Sequence, residues 1–188
     1  SHINIEGGNK IYISIVDGLD SRLYYKNEWA TDFTSKLNSD TLTITFSADL
    51  FTKRIKGKRW KSYRIVIECN NLKSLTLHNS YVDLELKSKD SLKIASYGYS
   101  IVKIKSPDAK INSMDVKLSG NSRLVFSDEQ KPLQAELMTV KILDSSFLNL
   151  NKTRIRHFLP FLGDDARILY GSGIETYENN QITNDYEQ

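Results

Sequence analysis

The chain is written in short alternations. Apolar residues recur at every second position in Leu75/Leu77, Val82/Leu84/Leu86, Leu92/Ile94, Val102/Ile104, Val116/Leu118, Leu124/Phe126, Val140/Ile142 and Leu148/Leu150. Each run predicts a strand with one inward face, because successive side chains on extended backbone point to opposite sides. Small, polar corners separate the runs: "YGYSIVKI" at 97–104, "SGNSRLVF" at 119–126, "LDSSFLNL" at 143–150 and "GDDARILY" at 163–170.

The corners align on the apolar residue that follows them: Val102, Leu124, Leu148 and Ile168. Two positions before this anchor stand Ser100, Ser122, Ser146 and Ala166, all small. Four positions before it stand Gly98, Gly120, Asp144 and Asp164, residue types that accept left-handed backbone or close an Asx-turn. Val82 extends the series with Ser80 before it, and "DSRLYY" extends it to Leu23, with Ser21 at the small position. The anchors at 82, 102, 124, 148 and 168 are 20, 22, 24 and 20 residues apart. A period near 22 with local alternation predicts stacked coils, since one coil cannot bury its inner face alone. Strand neighbours at about 4.8 Å then place identical corners above one another, so the corner residue must be small. The fold expected over 70–171 is all-β, a parallel β-helix. The alternative, an antiparallel β-sandwich, requires hairpin signals such as Asn-Gly or Asp-Gly, and "VDGLD" at 16–20 supplies the one Asp-Gly.

Composition agrees with strand: 10 Tyr, 7 Phe, many Val, Ile, Thr and Ser. The 188 residues fit one domain with a sizeable core. We expect that domain over 1–174, with a basic excursion near 52–64 and an acidic tail over 175–188, and Ile174 and Tyr177 cap the last coil. A net charge of +3 gives no global field toward nucleic acid, and no apolar run approaches the ~20 residues of a membrane helix. Cys69, in "RIVIECN", has no disulfide partner in the chain and reads as a buried, inert thiol.

From the opening "KIYISIVDGLDSRLYYK", "DTLTITF" at 40–46, "NNLKSLTLHNSYVDLEL" and the serine-corner coils to 171, the sequence resembles the GIN domain, a family described as an auto-transporter adhesin head domain of the bacterial envelope. The resemblance implies a right-handed β-helix and an extracytoplasmic location, with any leader removed. Bulkier corners (Tyr97, Tyr99, Phe147) and a highly basic segment depart from the family's pattern.

That segment, "TKRIKGKRWKSYR" at 52–64, holds seven cationic residues and no acid. Lys53, Arg54, Lys56, Lys58, Arg59 and Lys61 supply charge and donors, and Trp60 a stacking face, for an acidic glycan or other polyanion. Its bland counterpart is a solvated loop guarding a strand edge. Segment 27–39 reads as a short helical turn, with Trp29 and Phe33 on one face, or as a strand with loops. His2, His78 and His157 form no metal-ligand spacing. Asp144 and Asp164, stacked in register, would stand roughly 5 Å apart and invite a cation, or else splay into solvent. No nucleophile elbow or phosphate loop occurs. The expected function is a non-catalytic binding or adhesion module of the cell envelope, without cofactor. Its contacts are the basic segment first and Tyr97, Tyr99 and Phe147 second. Its partner is a glycan or other polyanion, or else an envelope protein or a second copy in a structural complex. A β-helix polysaccharide-active enzyme is a further alternative. It requires a cleft with a Lys, Arg or His base beside two or more carboxylates.

Overall fold

The structure is a computed structural model of the 188-residue chain and describes residues 1–8, 11–27, 30–47, 64–105, 108–127 and 132–177. The described residues are nearly all strand, in two large sheets, with no α-helix. The first sheet holds β1 (His2–Glu6), β4 (Phe33–Asn38), β5 (Thr41–Phe46), β7 (Ser74–His78), β9 (Lys89–Tyr97), β11 (Lys110–Leu118), β13 (Leu133–Ile142), β15 (Thr153–Leu162) and β17 (Ile174–Tyr177). The second holds β2 (Tyr12–Gly18), β3 (Arg22–Tyr24), β6 (Arg64–Asn70), β8 (Tyr81–Glu85), β10 (Ile101–Lys105), β12 (Arg123–Phe126), β14 (Phe147–Asn149) and β16 (Arg167–Leu169). From β7 onward the chain alternates between the sheets, and from β9 onward each strand lies parallel to the one two before it.

The anchors stack as their spacing predicts. Val82 pairs with Val102, Val102 with Leu124, Leu124 with Leu148 and Leu148 with Ile168. Among the described residues the pairing is antiparallel only for β3 with β6 and β4 with β5, so the hairpin-built sandwich does not form. Inward residues of both sheets join one apolar cluster, from Ile3, Ile13 and Ile65 to Leu148 and Phe158.

One expectation is corrected. Leu23 is no anchor: it pairs with Ile67 on the antiparallel edge strand β3, and Ile13 is the residue that stacks on Val82. In segment 27–39 the reading as a strand with loops holds for 33–38, where Phe33 is buried against Phe46 and Tyr25, while Trp29 lies outside the described residues. The first two strands are interior in their sheets. β1 lies between β5 and β7, and β2 between β6 and β8. The chain places β5 and β6 on one side of this strand pair, then β7 and β8 on the other.

The small corner residues form an internal column. Ser80, Ser100, Ser122 and Ser146 are fully buried. Ser100 Oγ donates to Tyr97 O (2.7 Å) and accepts from Ser80 N (3.1 Å); Ser122 Oγ donates to Ser119 O (2.7 Å). A larger side chain would have to displace the coil above it. Ser96 differs. It is fully buried in a column of inward residues between Leu77 and Leu118, and its hydroxyl has no partner. An unpaired buried hydroxyl costs about 1–3 kcal/mol. Ser96→Ala is therefore expected to raise stability by about 1 kcal/mol, read as a higher urea midpoint with an unchanged m-value.

Candidate functional site

Parallel register turns single outward residues into rows that cross the whole second sheet. One row runs Arg64, Tyr12, Tyr81, Ile101, Arg123, Phe147 and Arg167, on β6, β2, β8, β10, β12, β14 and β16. At about 4.8 Å per strand it spans roughly 29 Å. Three arginines alternate with aromatic and aliphatic groups, and the row contains no acid. The Tyr12 and Tyr81 ring centroids are 6.1 Å apart; the Arg64 guanidinium lies 5.9 Å from the Tyr12 ring and Lys103 Nζ 5.3 Å from the Tyr81 ring. These are cation–π distances. Arg64, the last residue of the basic segment in the sequence, is the first residue of this row.

Beside the tyrosines stands Asp83, outward on β8 yet only 5% exposed. Its Oδ2 accepts hydrogen bonds from Tyr12 Oη and from Lys105 Nζ, the latter at 2.5 Å. Burial alone would raise the Asp83 carboxyl, but the hydrogen bonds from Lys105 and Tyr12 outweigh it and hold it below the usual aspartate value. Its bond to Asp83 pushes the Lys105 ammonium up, and likewise the Tyr12 phenol. The lowered carboxyl stabilises the fold above the ordinary carboxylate range, and that stability is lost as pH falls through the folded value. The raised Lys105 and Tyr12 stabilise it below about pH 10 and lose that contribution as pH rises through theirs. Asp83→Asn is expected to cost about 1–2 kcal/mol at pH 7, the half-exposed Lys105 limiting the upper end. The gap between wild type and variant should stay level from about pH 5 to 9 and close below about pH 4, in denaturation curves taken across pH.

The sequence-derived contact residues divide. Lys53, Arg54, Lys56, Lys58, Arg59, Trp60 and Lys61 lie outside the described residues. Phe147 stands in the row, half-buried between Arg123 and Arg167. Tyr97 belongs to the other sheet, where its ring stacks on His78 (4.7 Å, 18°) beneath Lys117. Tyr99 projects from the corner, 69% exposed. These aromatics therefore do not converge on one site, and sequence reasoning did not single out Tyr12, Tyr81 and Asp83. Strand alternation put all three on an outward face; only the register made them neighbours. Asp144 adopts φ +55°, and its Oδ2 accepts from Gly120 N at 2.7 Å, in the coil before it. It is thus committed to a backbone N–H. Among the described residues no group of three His, Cys, Asp or Glu could hold a metal ion.

Two further features complete the inventory. Asp17 and Lys89 form an ion pair (2.5 Å) inside the core, their side chains 6% and 5% exposed. Cys69, beside Asp17 in register, is buried, and burial first, then the Asp17 charge, pushes its thiol up to about 11. At the β3–β4 end the coil stack opens into a cavity of about 310 Å³ lined by Ile3, Leu23, Leu37, Leu42, Ile67 and Cys69.

No family model matches the chain, and no curated protein matches it. Among solved structures it is similar to a putative adhesin from Parabacteroides merdae, at 16% identity over 92% of this chain and 68% of that one, with a TM-score of 0.71. A putative lipid binding protein from Parabacteroides distasonis matches at 16% identity over 92% and 90% of the two chains, with a TM-score of 0.46. A putative adhesin from Bacteroides fragilis matches at 12% identity over 92% and 89%, with a TM-score of 0.44. At these identities the likeness is one of fold, and the first comparison carries it.

Proposed function

We propose that the chain is a right-handed parallel β-helix of the GIN-domain type, serving as a non-catalytic binding or adhesion module of the bacterial cell envelope. The unit is the domain over 1–174, outside the cytoplasm, and its ligand is an acidic glycan. The row of arginines and aromatics across the second sheet carries this reading. A rigid sheet repeats contact groups at a fixed interval, which suits a linear polymer better than a compact ligand. Cations answer its negative charges, and ring faces pack on its sugars. Alternation of parallel strands between two sheets supports the coil, and the near-universal handedness of parallel crossovers supports its right-handed sense. The fold likeness to the Parabacteroides merdae protein is consistent with adhesion at a cell surface. The basic residues from Lys53 to Lys61, just before Arg64 in the sequence, add to the same charge.

Binding to a panel of acidic and neutral glycans at low and moderate salt examines this directly. Salt-sensitive binding to acidic glycans, weakened by Lys58→Glu with Arg59→Glu, is the expected result. Equal binding to neutral glycans, insensitive to salt, would defeat it. A second reading has its own support: the apolar cavity at the β3–β4 end, with Leu37 72% exposed at its edge, suits an envelope protein docking end-on.

A further inference from the structure

The row has one place built differently from the rest. At Tyr12 and Tyr81 a carboxylate is sunk into the face beside the rings. Asp83 uses one oxygen for both Tyr12 and Lys105, while Oδ1, shielded from solvent, has no hydrogen-bond partner. A buried, ionised oxygen without a donor is rare in folded proteins and calls for an explanation. Lys105, half-exposed, is bonded to Oδ2 and leaves Oδ1 to a further donor. Lys103 lies on the adjacent strand, in register with Asp83, its ammonium near the Tyr81 ring.

We infer that Tyr12, Tyr81, Asp83 and Lys103 form a subsite for one uronic-acid residue of the acidic glycan, an assignment that rests on the binding function proposed above. A pyranose lies against the tyrosine pair. One of its hydroxyls donates to Asp83 Oδ1, and its carboxylate accepts from Lys103 Nζ. The subsite thus reads both the hydroxyl pattern and the charge of a sugar, whereas the arginines of the row read charge alone. Sulfate or phosphate on a polymer without a free hydroxyl would engage the arginines and leave Asp83 unused.

Titration of the purified chain with tri-galacturonate and with its carboxyl-reduced, neutral counterpart tests the subsite. Wild type should bind the acidic trimer at least tenfold more tightly. Asp83→Asn and Tyr81→Ala should each lose about tenfold for the acidic trimer, Tyr81→Phe should keep wild-type affinity, and Lys103→Ala should erase the preference for the acidic form. Melting curves of each variant identify any that fail to fold, and Tyr81→Ala and Lys103→Ala leave Asp83 paired. Trimer binding unaffected by Asp83→Asn, Tyr81→Ala and Lys103→Ala would overturn the subsite while leaving the acidic-glycan function standing. No binding of the trimer by folded wild type, with long acidic glycans still bound, would do the same. Loss of all acidic-glycan binding would remove both.

Discussion

Lys89→Met is expected to destabilise the protein by about 3–5 kcal/mol, because it strands a carboxylate in the core. Asp17 is an inward residue of β2, between Cys69 on β6 and the Leu86 region after β8. Its Oδ1 accepts from Leu72 N (3.3 Å) and its Oδ2 from Lys87 N (3.4 Å) and Lys89 Nζ. Lys89 also donates to Leu72 O at 2.8 Å. The pair ties the end of β2 to the entry of both β7 and β9. This junction is where the first coil is held inside the stack. With the ammonium removed, the two backbone donors remain but the charge has no counter-ion. Asp17→Asn combined with Lys89→Met keeps an acceptor for Leu72 N and removes the charge. It should recover most of the loss, giving a coupling of at least 2 kcal/mol in a double-mutant cycle. A near-neutral single variant would mean that water or a neighbouring group replaces the ammonium and that the pair is not what holds the coil.

Gly120→Val is the second large effect, about 3 kcal/mol or more. Gly120 has φ +78° and sits directly against Gly98, φ +65°. A Cβ on Gly120 would come within 2.9 Å of the Gly98 Cα and N, which are backbone and cannot swing aside. Left-handed strain and steric overlap therefore act together. Gly163, in the corner of the last coil, offers the contrast: a Cβ there meets Leu143 Cα at 3.4 Å, an ordinary contact. Gly163→Ala should change stability by no more than about 1 kcal/mol. Comparable losses at Gly120 and Gly163 would show that the corner is tight for reasons other than stacking.

The repeat was legible because stacking demands the same residue class at the same place in every coil. A small residue two positions before each apolar anchor, serine in all but Ala166, is a consequence of that demand, and it reported the register strand by strand. Other features leave no such trace. "DSRLYY" imitates the corner, yet Leu23 pairs antiparallel, because a single echo says nothing about strand direction. The interior position of β1 and β2 depends on which side of the first coil the chain returns to, and spacing carries no information on that. Lys89 was hidden by a kink. Inward residues there are three apart, as in Ile111 and Met114 or Ile155 and Phe158, and Lys89 stacks on Ile111 in that column. Strict alternation points it to solvent. The tyrosine–aspartate subsite joins residues 71 positions apart, since Tyr12 reaches Asp83 only through the parallel pairing of β2 with β8.

On this reading the second sheet's outward row is the binding surface. Charge reversal on the two faces measures it most directly. One variant carries Arg123→Glu and Arg167→Glu; the other carries Lys117→Glu and Lys141→Glu on the outward face of the first sheet, with the same change in net charge. Affinity for a long polygalacturonate at fixed low salt is the readout. We expect the first variant to lose at least tenfold and the second to lose no more than twofold, the share attributable to net charge. Equal losses, or a loss confined to the second variant, would contradict the account.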